Sequence, residues 1–168
     1  MTSLIRLAIM RGGMQIRELG HLVLYVRDLS VSAGFYRDVL GWRPIFDGSR
    51  AKLPFAAAAF NSPGGRTHHE LLLIEVGPSA APLPAGPRVG MYHFGVKIGD
   101  SDDELREAES ALRANGVVIL GATDHGITHS LYVVDPDGNE IELYVDVPGV
   151  DWDDPDLWAQ PVLRPLLL

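Results

Sequence analysis

The chain has 168 residues, 46% hydrophobic and 21% charged, which suits one domain with a sizeable core or two small similar halves packed together. A net charge of -8, with no run of Lys or Arg, argues against nucleic acid as a partner. The absence of cysteine excludes disulfides and thiolate chemistry, so any metal must be bound by His, Asp or Glu. No stretch suits a membrane span or a signal peptide, and a cytoplasmic location is expected.

Hydrophobic periodicity divides the chain into an extension, one domain of two halves, and a tail. Periodic patterning begins only after residue 13, and the run GPSAAPLPAGPRVG interrupts it midway. We therefore predict a poorly ordered N-terminal extension at 1–13, a single domain at 14–150 that contains module 1 at about 16–77, a linker at 78–90 and module 2 at about 91–147, and a C-terminal tail at 148–168.

Module 1 opens with LGHLVLYV, which alternates as a strand and carries His21 on the face opposite Leu22 and Leu24. The next segment, RDLSVSAGFYRDVLG, predicts a helix that Asp28 or Ser30 caps and Gly41 ends. Three further strands are predicted in WRPIFDG, AKLPFAAAAF and HHELLLIEV. The module therefore reads β-α-β-β-β.

Module 2 repeats this order. MYHFGVKIGD predicts a strand with His93, and Ser101 with Glu104 three residues later forms a capping box for the helix that follows. VVILGAT, LYVVDP and EIELYV predict three strands, the last two joined by the turn DPDG.

Two kinds of polar residue recur at the same spacing in the two halves. His21 and His93 are 72 residues apart, and so are Glu70 and Glu142. Two copies of a unit that cannot bury its own sheet face are expected to pack together. We predict an α+β fold in which two βαβββ modules form a curved mixed sheet around a metal-binding cleft, with the helices outside.

Strand parity predicts that three polar side chains converge on this cleft. A carboxylate inside a curved sheet is costly to bury unpaired, so Glu142 needs a cation. With His21 and His93 it would form the two-histidine, one-carboxylate site typical of non-haem Fe(II). If Glu70 also faces inward, the site has four ligands and better suits Ni, Zn, Co or Mn, with isomerisation by a metal-bound water.

The strand pattern around Glu70 leaves the choice between three and four ligands open. In THHELLLIEV, alternation puts His68 and Glu70 on one face and His69 on the other. The 72-residue repeat favours Glu70 inward, whereas a bulge in the Gly-rich turn before it would bring His69 in instead.

The span from about Leu19 to Asp146 resembles the vicinal oxygen chelate superfamily, which includes glyoxalase I, bleomycin and fosfomycin resistance proteins and extradiol dioxygenases. HLVLYVRDL with FYRDVLG resembles the start of one module, and YHFGVKI resembles the start of the second. The run TDHGITHSLYVVDPDGNEIE is similar to the signature of the extradiol catechol dioxygenases, to which the resemblance is closest.

This resemblance implies a role for each matching residue. His21, His93 and Glu142 match iron ligands, and Glu70 stands where glyoxalase I has a glutamate ligand. His125 and Tyr132 match residues that hydrogen-bond the substrate hydroxyls. His69 resembles the histidine that handles the bound oxygen and the catechol proton.

The function implied is ring cleavage of a catechol-like diol with Fe(II) and O2 in a homodimer; Mn(II), Ni(II) and Zn(II) are the alternative metals. One alternative is a glyoxalase-like isomerase or lyase with the four-ligand site, and another is a protein that sequesters an antibiotic. In the tail, Trp152 and Trp158 are expected to anchor a docking surface, and PVLRPLLL to cover a sheet edge or an interface.

Overall fold

The computed structural model describes residues 14–48, 52–154, 156–159 and 162–168, and the predicted extension at 1–13 lies outside them. Module 1 consists of β1 (Leu22–Val26), α1 (Leu29–Gly34) with a π-helical continuation (Phe35–Val39), β2 (Arg43–Asp47), β3 (Ala57–Asn61) and β4 (Leu71–Glu75). Module 2 consists of β5 (His93–Gly99), α2 (Asp102–Ala114), β6 (Ile119–Asp124), β7 (Thr128–Val134) and β8 (Glu140–Asp146), and the tail adds β9 (Arg164–Pro165). No helix in these ranges combines the length and apolarity needed to span a membrane.

Each module builds its own mixed sheet. The strand order is β1-β4-β3-β2 in the first and β5-β8-β7-β6-β9 in the second, with the β1–β4 and β5–β8 pairs parallel and the other pairs antiparallel. The α+β class and the two βαβββ modules are confirmed. The strands form two sheets rather than one continuous sheet, because among the described residues no strand of module 1 pairs with a strand of module 2.

The predicted helix signals act as expected. Asp28 caps α1 by accepting a hydrogen bond from Val31 N, and Gly41, at φ 72°, turns the chain after the π-helical segment. Ser101 Oγ accepts from Glu104 N at 3.4 Å, which forms the predicted cap of α2.

One hydrophobic core joins the modules. Its buried members come from both halves and include Leu24, Tyr36, Leu105, Leu131 and Ile141. Tyr36, from the helix of module 1, donates its phenol proton to Asp135 Oδ2 in the β7–β8 turn at 2.9 Å. Burial, and then the charge of Asp135, raise the pKa of Tyr36, so the phenol remains a donor.

Candidate active site

The cleft face of module 2 gathers polar side chains from three strands. Alternation sends Ile141, Leu143 and Val145 of β8 into the core, so the intervening residues face the cleft. The β7–β8 pairing sets Tyr132 opposite Glu142. The parallel β5–β8 pairing brings in His93 at the start of β5.

Glu142 is the centre of this group. Its Oε1 accepts hydrogen bonds from Ser130 Oγ at 2.6 Å and from the Tyr132 hydroxyl at 3.2 Å. Its Oε2 lies 3.2 Å from His93 Nε2, and the side chain is only 17% exposed. A carboxylate with so little access to water is costly to bury, and these hydrogen bonds offset part of that cost.

His125 and Tyr132 form a pair beside that carboxylate. His125 Nε2 and the Tyr132 hydroxyl are 2.7 Å apart, and His125 Nε2 is 3.7 Å from Glu142 Oε1. The hydrogen bond from His125 N to Thr128 O, in the turn between β6 and β7, fixes the backbone of the histidine. Burial, and then the negative charge of Glu142, raise the pKa of Tyr132.

Module 1 carries a separate histidine cluster. The ring of His21 lies 4.4 Å from that of His69 and 5.7 Å from that of His68, measured between centroids. His68 Nδ1 and His69 Nδ1 are 2.6 Å apart. Burial, and then repulsion from His21 and His68, lower the pKa of His69. The predicted opposite orientation of His68 and His69 is wrong, because β4 begins only at Leu71 and strand alternation does not reach them.

Glu70 caps a turn. Its Oε2 accepts from Ser62 N at 2.7 Å, and its Oε1 lies 3.5 Å from Arg66 N. Burial raises the pKa of Glu70, but the hydrogen bonds from Ser62 and Arg66 outweigh that effect, so its pKa lies below the ordinary value. The Glu70 carboxylate is therefore hydrogen-bonded to the loop between β3 and β4.

The ligands predicted for a metal are thus divided between the two modules. His93 and Glu142 lie together, and His93 Nδ1 is a buried nitrogen without a hydrogen-bond partner. His21 lies with the other histidines of module 1. In the described part of the chain, no group of three or more His, Cys, Asp or Glu side chains is placed to hold a metal ion. One chain therefore brings together only two of the three side chains that were expected to bind a metal.

The C-terminal tail contributes residues that the sequence did not assign to the site. A cavity of about 580 Å³ is lined by His93, His125, Tyr132 and Glu142 together with Trp152 and Trp158. Trp152 and Trp158 carry no motif that marks them for this cleft. Ser130 was also missed, although counting outward from the DPDG turn places it on the same face of β7 as Tyr132.

The fold and the site together define a class: paired βαβββ modules that carry histidine and carboxylate side chains on their cleft faces. The Glyoxalase/Bleomycin resistance protein/Dioxygenase superfamily matches residues 18–143, and the chain belongs to this superfamily.

Three similar proteins illustrate the range of the superfamily. The chain is 36% identical over 135 residues to catechol-2,3-dioxygenase of Bacillus subtilis, covering 80% of this chain but 44% of that protein. A glyoxylase/bleomycin resistance protein/dioxygenase domain from Frankia sp. superposes with a TM-score of 0.66 at 23% identity, covering 79% of this chain and all of that one. Lactoylglutathione lyase of Agrobacterium tumefaciens superposes at 0.55 with 28% identity, over 75% and 91% of the two chains.

Proposed function

We propose that this protein is a metal-dependent extradiol dioxygenase that cleaves the ring of a catechol-like diol. The observation that carries the proposal is the group on module 2, where the His125–Tyr132 pair lies beside the carboxylate of Glu142 and the imidazole of His93. Similarity to a catechol dioxygenase supports it, although the chain spans only 44% of that relative's length.

The donor set fits Fe(II) if a second copy of the chain completes it. His93 and Glu142 would provide one imidazole nitrogen and one carboxylate, and the partner subunit's His21 would provide the second nitrogen. Three ligands of this kind leave positions open for other molecules. A bound Fe(II) would supply the redox chemistry that joins a diol to O2. The proposal therefore includes a homodimer with two shared sites.

The protein groups beside the metal position would handle the substrate protons. Because its pKa is raised, Tyr132 remains protonated at neutral pH and can donate to a diol oxygen. His125 Nε2, 2.7 Å from that hydroxyl, can exchange a proton with it. His69 would act at the same site only from the partner subunit, because it lies beside His21.

The alternative is a glyoxalase-like isomerase or lyase, and the similarity to lactoylglutathione lyase supports it. That chemistry would use Glu70 as a fourth ligand. Here the Glu70 carboxylate is occupied by the amides of Ser62 and Arg66, which favours the three-ligand site. Turnover without O2, supported by Ni or Co and lost in Glu70→Gln, would instead establish the isomerase.

The test is to purify the protein anaerobically, determine its metal content, and add catechols with and without O2. Stoichiometric iron and a yellow product that forms only with O2 are expected, and chelator-treated protein is the control. Nickel, zinc or no metal, with no product after reconstitution with Fe(II), would overturn the proposal.

A further inference from the structure

Backbone hydrogen bonds attach the C-terminal tail, residues 148–168, to module 2 at its start and at its end. At its start, Val147 N donates to Ile127 O at 2.9 Å. At its end, β9 pairs with the edge strand β6, Leu166 N donates to Ala122 O at 3.1 Å, and Leu166 and Leu168 pack against the core. The prediction that the last residues cover a sheet edge is confirmed.

Between these ends the tail carries apolar side chains to the cavity of module 2. Trp152, Leu157, Trp158 and Val162 line it beside His125 and Tyr132. Backbone turns hold this path, with Asp154 N donating to Asp151 O and Leu157 N donating to Asp154 O, each at 3.2 Å.

Packing within the chain leaves most of the surface of both tryptophan side chains exposed. Trp152 is 62% exposed and Trp158 is 67% exposed, although both line a cavity beside the polar group of the site. Large aromatic surfaces left open in a concave site are typical of ligand contacts. At about 580 Å³, the cavity is larger than a single-ring diol requires.

The charge around the cavity is negative. Glu142 and Asp146 are among its lining residues, and none of the described lining residues is a Lys or Arg. Asp146 Oδ2 forms an ion pair with Lys97 Nζ at 2.6 Å. An anionic substituent that lies beside these carboxylates would be repelled by them, and the described lining offers no Lys or Arg to pair with it.

We propose that the C-terminal tail determines substrate specificity: Trp152 and Trp158 bind the second, uncharged ring of an aryl-substituted catechol, and the carboxylates that line the cavity disfavour catechols that carry a carboxylate. This inference rests on the proposed function for the diol end of the ligand. The tryptophan contacts concern the opposite end, so they can be tested without turnover.

The first test measures binding under anaerobic conditions by quenching of tryptophan fluorescence. Holoenzyme is titrated with 4-phenylcatechol, catechol and 3,4-dihydroxybenzoate. We expect 4-phenylcatechol to bind at least about tenfold more tightly than catechol, because an aromatic pair and its buried area add to the affinity. The carboxylated diol should bind more weakly than catechol.

The matched variants are Trp158→Ala, Trp158→Phe and Trp42→Phe. Trp42 packs against the core outside this cavity, so Trp42→Phe should retain the preference while removing background fluorescence. Trp158→Ala should lower the affinity for 4-phenylcatechol about tenfold and that for catechol less than twofold, and Trp158→Phe should restore most of the difference. Asp146→Asn should raise the affinity for 3,4-dihydroxybenzoate severalfold.

The outcomes separate this inference from the proposed function. If no diol is cleaved but the binding preference and its loss in Trp158→Ala are observed, the function fails and the tail assignment stands. If diols are cleaved but phenyl and unsubstituted catechols bind alike, the tail assignment is overturned. A Trp158→Ala variant that loses its oligomeric state in size-exclusion chromatography while keeping the preference would also overturn it, because Trp158 would then be a subunit contact.

Discussion

The two modules share a fold and differ in what their cleft faces carry. In module 2, β7 sets Ser130 opposite Tyr144, whereas in module 1, β3 sets Ala59 opposite Leu72. The carboxylate of Glu142 contacts a histidine, a serine and a tyrosine, while Glu70, 72 residues earlier, contacts backbone amides. A repeated fold has thus produced one cluster rich in histidine and another that combines histidine with carboxylate.

The turn before each glutamate explains the difference. The β7–β8 turn is capped by Asp135, whose Oδ1 accepts from Asp137 N and Asn139 N at 2.9 and 2.8 Å. This leaves Glu142 available to the cleft. Residue 63, at the corresponding place 72 residues earlier, is a proline with no carboxylate, and Glu70 caps the loop instead.

The largest expected effect distinguishes the two glutamates. Glu142→Gln should lower the bound iron and reduce activity by more than about a hundredfold, since even residues that only orient a metal ligand cost 10- to 100-fold. Glu70→Gln should keep iron and activity and lose roughly 1 kcal/mol of stability from its turn. Metal analysis, O2 uptake and urea denaturation measure these effects, and equal loss of activity in both variants would restore the four-ligand site.

A smaller effect is expected for Tyr132→Phe, which removes the hydroxyl between His125 and Glu142. The turnover number should fall about a hundredfold, as for loss of a general acid or base, while the iron content stays constant. Tyr25→Phe is the matched control, because that tyrosine lies on β1 and is 70% exposed. A Tyr132→Phe enzyme with wild-type turnover would exclude the hydroxyl from proton transfer.

The contact between the modules provides a stability test. Tyr36→Phe removes the buried hydrogen bond to Asp135 and should lower the free energy of unfolding by about 1–2 kcal/mol. Tyr25→Phe should leave that free energy within about 0.5 kcal/mol of wild type, as for most surface changes. Chemical denaturation measures both, and equal effects would show that the Tyr36 bond contributes little.

The smallest effect concerns the first turn of α2, where Glu104 of the helix itself completes the cap, whereas at α1 the amide of Leu29 donates to Glu75 from β4. Hydrogen bonds from Asp100 N and Ser101 lower the pKa of Glu104. Its contribution to stability is therefore complete above the ordinary pKa of a glutamate and is lost as the pH falls through the lowered value. Glu104→Gln should melt slightly below wild type at pH 7, and the difference should disappear in acid. Thermal unfolding at the two pH values measures this, and Glu107→Gln, one turn away on the same helix, is the matched control for loss of a charge at pH 7.

The sequence predicted the elements well because their signals are local. Hydrophobic alternation, the caps at Asp28 and Ser101 and the turn DPDG each act within a few residues, and the repeat placed them in two modules. The position of Tyr132 opposite Glu142 also follows from that turn by counting outward.

The remaining features depend on contacts that periodicity does not encode. The Glu70 side chain faces the loop because its carboxylate accepts hydrogen bonds from the amides of Ser62 and Arg66. Trp152 and Trp158 reached the cavity because β9 pairs with β6 more than thirty residues away in sequence, a contact with no local signal. The grouping of His21 with His68 and His69, apart from His93, depends on how the modules pack.

The central claim is that each active site takes His21 from one subunit and His93 with Glu142 from the other. It is tested with heterodimers purified through two different affinity tags. A dimer of one His21→Ala chain and one Glu142→Gln chain should retain about half of the wild-type activity, since one of its two shared sites is intact. A dimer of one wild-type chain and one chain with both substitutions should be inactive. The reverse result, an inactive first dimer and a half-active second one, would show that each chain builds its own site and would contradict this account.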